Sequence, residues 1–197
     1  NLFAAMALVL NEQIGSALEK IVSSMIDSVK STESIVLSNG KDSEDIIEDA
    51  DGDGDQEFDI ENSDGEDDDD DDILGIENSY MEEKEEAVIA LKELAEHTGS
   101  AFAPYIQVSF EEVYKLLNYP NEDIRQSSVE ALSQFVVSLY KLNNTDAVKH
   151  TLLIFIPKLS EIIHADEERI VVMAALESFN QILEELGAVT FEIEGHK

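Results

Sequence analysis

The chain is predicted to be all-α, a solenoid of stacked antiparallel helix pairs, on three observations. Apolar residues keep helical spacing almost throughout. Sets of residues recur in register at offsets of 41 and 44 positions. No stretch alternates as a strand would. One acidic tract interrupts this pattern. Between Asp42 and Asp72, nineteen of thirty-one residues are Asp or Glu and none is Lys or Arg; the tract closes with Asp67, Asp68, Asp69, Asp70, Asp71 and Asp72.

Taken in order, Leu2, Phe3, Met6, Leu8 and Leu10 mark a first helix, ended near Gly15. Ile14, Leu18, Ile21, Val22, Met25, Ile26 and Val29 mark a second. Residues 38–78 have no workable period and hold the tract. So much charge cannot bury enough apolar surface to offset the entropy of ordering, so a solvated loop is expected there. The third helix is expected from Met81 to about His97, with Val88, Leu91 and Leu94 on one face and Gly99 as its stop. A fourth runs from Pro104, which suits a first helical turn, to Leu117 through Ile106, Phe110, Val113 and Leu116. After the turn Asn118-Tyr-Pro-Asn121, a fifth covers Glu122–Lys141, a sixth Asp146–Ile163 and a seventh Asp166–Leu186, before Gly187. Pro157 is expected to kink or split the sixth.

The repeat is visible in Ala90-Leu91, Ala131-Leu132 and Ala175-Leu176, and in Leu94, Phe135 and Phe179. The same offsets superpose Lys84, Arg125 and Arg169, and likewise Glu82, Asp123 and Glu167. A helix-pair repeat of this length is the signature of a HEAT or armadillo solenoid, in which each unit buries its apolar face against its neighbours. Helices then alternate between A and B roles and stack in a right-handed superhelix. Glu82, Lys84, Asp123, Arg125, Glu167 and Arg169 are expected to form a structural ladder, the acid of one repeat near the base of the next. The domain organisation that follows is a HEAT repeat over 1–37, an acidic, largely disordered loop over 38–79, HEAT repeats over 80–119 and 120–164, and the first helix of a further repeat with its linker over 165–197.

The formal charge of −33 comes from 45 acids and 12 bases. Nineteen of those acids lie in the tract, leaving 26 against the 12 bases, so the acidity is global. Such a field repels nucleic acid and anionic membrane and attracts cationic partners. Neither nucleic acid nor membrane is expected as a direct partner. The chain has no cysteine, which excludes disulfides and thiolate metal sites and suits a reducing compartment. The apolar start through Leu10 is too short to span a bilayer and lacks the basic flank of a signal peptide. With no initiator Met and a helix already under way, the chain reads as a piece of something longer.

The acidic insert followed by Glu77-Asn-Ser-Tyr-Met-Glu-Glu-Lys-Glu-Glu86, then Ala101-Phe-Ala-Pro-Tyr105 and Phe110-Glu-Glu-Val-Tyr-Lys-Leu-Leu117, resembles the middle of an importin-β (karyopherin-β) nuclear transport receptor. Arg169-Ile-Val-Val-Met-Ala-Ala-Leu-Glu177 and Leu2-Phe-Ala-Ala5 are similar to that family as well. The resemblance covers nearly the whole chain. It implies a HEAT superhelix that shuttles between cytoplasm and nucleus, wraps basic cargo on its concave face and releases it when GTP-bound Ran binds. Core histones and ribosomal proteins are the cargo implied. Ran GTPase and nucleoporin contacts would fall to other parts of a full-length chain.

In such solenoids the B helices line the concave surface, which makes Glu19, Asp27, Glu111, Glu112, Asn118 and Glu161 the cargo-facing candidates. Carboxylates in a partly dehydrated groove meet lysine more strongly than on an open surface. Any one of them can equally be a solvated helix face. Phe58 and Ile60 are isolated apolar residues within the polyanion, either anchors for a basic partner or incidental. Asp49, Asp51, Asp53 and Gly54 imitate a calcium loop, but Ile60 stands where the bidentate Glu belongs and Gln56 where an apolar residue does. Ser63 is followed by acids that suit phosphorylation, with modest effect in so charged a region.

Catalysis finds no support, and no cofactor or metal site is expected. His97, His150, His164 and His196 are scattered, with no carboxylate at a helical step to complete a site. No glycine-rich phosphate loop exists. The alternatives to a receptor are a HEAT scaffold subunit of another assembly and a free-standing acidic histone chaperone.

Overall fold

A computed structural model describes residues 15–31 and 68–187, with side chains described at 17–31 and 79–187. Residues 1–31 and 82–197 form one compact unit and residues 32–81 another. The described part of the second unit, 68–81, consists of the first turns of a helix. The first predicted helix, Phe58, Asp67 and most of the acidic tract lie outside the described residues.

The described residues form six α-helices: α1 Gly15–Lys30, α2 Asp68–His97, α3 Ile106–Lys115, α4 Glu122–Lys141, α5 Thr145–Ala165 and α6 Arg169–Leu186. Tight 3-10 segments occupy Gly99–Tyr105 and Leu116–Asn118. The described residues contain no strand. Helices α4, α5 and α6 pack on one another and α3 packs on α4, so successive antiparallel pairs bury a shared core. This is the all-α, HEAT-like stacking that the repeat predicts.

Local chemistry explains the boundaries. Gly99 ends α2 with φ +56°, a conformation that costs glycine little. Thr98 Oγ1 donates to the Leu94 carbonyl at 2.6 Å and closes the last turn. Asn121 caps α4 by accepting from the Ile124 amide at 3.0 Å, and Glu122 and Asp123 complement the positive end of that helix. Asn144 caps α5 in the same way, accepting from the Ala147 amide.

Helix α4 is the centre of the core: every residue from Ala131 to Leu139 is buried. Phe102 stacks on Phe135 at 6.1 Å, and Phe155 is fully buried as well. Helix-to-helix hydrogen bonds satisfy the polar groups drawn into this packing. Ser138 Oγ donates to the Ala95 carbonyl at 2.9 Å and Ser133 Oγ to Gln181 Oε1 at 2.8 Å. Lys92 pairs with Glu130 between α2 and α4 at 2.8 Å.

The registered positions divide instructively. Ala90, Ala131 and Ala175 are all fully buried, as are Leu91 and Leu132, yet Leu176 is 41% exposed. Ile170 and Met173, earlier on α6, are 40% and 44% exposed. Leu91 and Leu132 each have a following A helix to cover them; α6 has none among the described residues.

Four expectations need correction. Helix α2 begins at Asp68 and not Met81, so the end of the acidic run is helical. Aspartates in a first turn lie at the positive end of the macrodipole, which offsets their low intrinsic propensity. Pro104 sits inside the 3-10 segment and not in the first turn of α3. Pro157 does not split α5, which runs through it; the proline is exposed, so water can reach the carbonyl it leaves free. Finally, α6 starts at Arg169, because Asp166 and Glu168 are extended.

Candidate partner-binding surface

Helices α1, α3 and α5 and the 3-10 segment Leu116–Asn118 carry the predicted candidates, and the structure gives several of them lysine partners of their own. Lys30 of α1 lies 3.8 Å from Glu112 of α3, whose carboxylate also pairs with Lys115 at 2.7 Å. Lys158 of α5 donates to Asn118 at 3.0 Å and to Glu161 at 2.9 Å. Glu112, Asn118 and Glu161 therefore already hold a cation. Glu111 is exposed and accepts from neutral Gln107, at 2.9 Å. Glu19 and Asp27 are exposed, with no ion pair among the described residues. Each of these pairs keeps one exposed member, Lys30, Lys115 or Glu161, so solvent screens it towards the surface value of about 0.2–1 kcal/mol and a polycation can compete with the internal lysines.

Between α3 and α5 lies a groove of about 830 Å³. Phe110 and Tyr114, one turn apart on α3, stack along it with ring centroids 5.9 Å apart. Phe110 also meets the edge of buried Phe155 at 6.3 Å and 84°. Ala147 and Ile154 of α5 form the opposite wall. The helical period assigns Phe110 to the core and passes over Tyr114; two aromatics at a four-residue step beside Glu111 were the available signal.

The structural ladder differs from expectation. Arg125 does not meet Glu82 of the preceding repeat but grips Asp166, at the start of the following one, with Nε and Nη2 each 3.0 Å from a carboxylate oxygen. Its Nη1 donates to the Tyr119 and Pro120 carbonyls at 2.9 and 2.8 Å. Burial works against the charged form of Asp166. The Arg125 hydrogen bonds, the Glu168 amide and the charges of Arg125 and Lys158 outweigh it and hold the carboxyl below its ordinary value. Lys84 is buried and donates to the Val29, Ser31 and Ser28 carbonyls at 2.6, 2.7 and 3.2 Å, with its ammonium 5.6 Å from the Tyr119 ring centroid. Burial pushes its pKa down, against the raising effect of Glu83. The two bases thus act alike, each satisfying carbonyls at or just past the end of the preceding B helix. Glu82, Asp123, Glu167 and Arg169 are exposed and make no ion pair among the described residues.

One histidine also departs from expectation. His97 Nε2 lies 3.2 Å from Glu93, a full helical step away, and 3.9 Å from Glu96. Candidate ligand atoms of the three lie within 4.8 Å of one another. Solvent reaches all three, and the arrangement is explained by a contact between the His97 ring and the Glu93 carboxylate one turn earlier on α2. Among the described residues no helix is long and apolar enough to cross a membrane.

No protein-family model matches the chain. It is 39% identical to human Importin-4 over 204 residues and 34% identical to mouse Importin-4 over 206 residues, with 99% of the chain aligned in each case. The chain spans 19% of the length of these curated relatives. An insert-bearing stack of helix pairs, aligned end to end with both, places the chain in the importin-β family.

Proposed function

We propose that the chain is a segment of a nuclear import receptor that binds highly basic cargo, core histones foremost and ribosomal proteins as a second class. The acidic B helices and the acidic insert provide the attraction. Release by Ran and passage through nucleoporins belong to the rest of a full-length receptor moving between cytoplasm and nucleus. No catalytic step is assigned. The observation that carries this function is the end-to-end match to Importin-4 in a chain of charge −33. In support, Glu19, Asp27 and Glu111 are exposed acids with no ion pair among the described residues, on helices α1 and α3, where Glu112 already holds lysines.

A pull-down with core histones at rising salt tests it. The expected result is capture at low salt that declines as screening shortens the reach of the field to about 8 Å near 0.15 M. Deleting residues 42–72 together with Glu111→Lys and Glu112→Lys should weaken capture strongly. No capture at low salt, or capture indifferent to those changes, refutes the cargo role.

A further inference from the structure

We infer that the groove between α3 and α5 receives an arginine side chain from an extended segment of a basic partner, with Phe110 and Tyr114 as its floor and Glu111 as its counter-charge. This rests on the proposal above that basic proteins are the partners, and it adds a location and a recognition chemistry.

The groove, about 830 Å³, falls within the range of about 300–1,000 Å³ typical of small-ligand sites. Its floor is preorganised. The Phe110 and Tyr114 rings lie nearly parallel, 23° apart, and the edge contact with buried Phe155 fixes Phe110. Both rings are only half-buried and line the groove, so part of each remains accessible to a ligand. A planar guanidinium stacks on such faces better than a lysine ammonium does.

The charges agree. Lys115 lines the groove, but Glu112 neutralises it at 2.7 Å. Glu111 makes no ion pair among the described residues, and its bond to Gln107 holds the carboxylate beside the floor. Exposed His150 on the α5 side and the Tyr114 phenol are the other ionisable groups among the described residues that line the groove. Opposite the aromatic floor, Ala147 and Ile154 offer an apolar wall to the methylene stem of the arginine. An uncharged apolar segment would cover Glu111 and leave a carboxylate short of water, which costs free energy with nothing in return.

The test uses the intact chain and fluorescent peptides of about ten residues: one with arginines spaced by glycine and leucine, a twin with citrulline for arginine, and a twin with glutamate. Binding is read by anisotropy and located by amide chemical-shift changes. The arginine peptide should bind, with shifts centred on residues 106–115 and 144–154, and each twin should bind at least about tenfold more weakly. Tyr114→Ala and Glu111→Gln should each weaken it about threefold to tenfold. Ala147→Trp, which fills the groove, should abolish the shifts. Circular dichroism melts confirm that each variant folds, and Glu111→Gln on the open lip serves where a core-side change does not.

Equal binding of the citrulline twin overturns the inference in favour of an apolar occupant. Arginine-peptide binding that ignores all three variants overturns the groove while leaving a basic partner standing. Failure of the arginine peptide and of core histones alike removes both.

Discussion

Replacing Arg125 by Ala is the perturbation that most directly separates the observed ladder from the one the repeat alone suggests. Arg125 makes two bonds to Asp166 and two to the Tyr119 and Pro120 carbonyls, tying the α3–α4 turn to the α5–α6 turn. The pair is largely out of water, at 13% and 12% side-chain exposure, which sets it between a surface bridge of about 0.2–1 kcal/mol and a buried one whose rupture costs about 3–5. A loss of about 2–3 kcal/mol is expected. For a chain of this size that is a fall of about 4–12 °C in Tm. Thermal melts of the wild type, Arg125→Ala, Asp166→Ala and the double variant form a cycle, with a coupling of at least about 1 kcal/mol expected. Asp123→Ala, at an exposed acid of the expected ladder, should stay within about 0.5 kcal/mol. A coupling near zero, or an Asp123 effect as large as that of Arg125, would refute the assignment.

The pH dependence of the same pair has a definite sign. The folded Asp166 carboxyl lies below its unfolded value of 3.8, so its contribution is complete above 3.8 and lost as pH falls through the folded value. The Arg125→Ala penalty should therefore be full at about pH 7 and shrink progressively as pH falls below 3.8, as melts across that range will read. Lys84→Met keeps the stem but removes the ammonium that the Ser28, Val29 and Ser31 carbonyls share at and just past the end of α1; hydrogen exchange in the last turn of α1 and in Ser31 should quicken about tenfold or more. Leu132→Ala should cost about 2–5 kcal/mol and Leu176→Ala less than about 1, because only the first is covered; equal costs in denaturant unfolding would contradict the stacking order. Asn121→Ala should cost about 1 kcal/mol through the lost cap of α4, again read in denaturant unfolding.

Much of this structure was legible in the residues, and the exceptions have physical reasons. Helix α4 could be bounded at Glu122 and Lys141 because its cap, its first-turn acids and its apolar period agree. Gly99 and Gly187 were readable as stops, and both adopt positive φ. The start of α2 was not readable, since aspartate is a poor helix former wherever no macrodipole favours it. Proline at 157 suggested a kink or a split, and the helix runs through it without splitting. The spacing identified the correct bases, Lys84 and Arg125, but the wrong acid. Asp166 faces Arg125 because the chain is extended at Asp166 and Glu168, and periodicity carries no information about a loop. The groove was invisible for a related reason: the helical period assigned Phe110 to the core and passed over Tyr114, and only the placement of α5 makes the two rings line one groove.

The central claim is that exposed carboxylates on α1 and α3 draw in a lysine- and arginine-rich partner. Its most direct test is the Kd for labelled core histones on the intact chain and on the Glu19→Gln, Asp27→Asn, Glu111→Gln variant, at about 50 and about 300 mM salt. The account predicts that wild-type affinity falls at least about tenfold across that range. The variant should bind more weakly at low salt and respond less to salt. An affinity that neither salt nor neutralisation changes would contradict it.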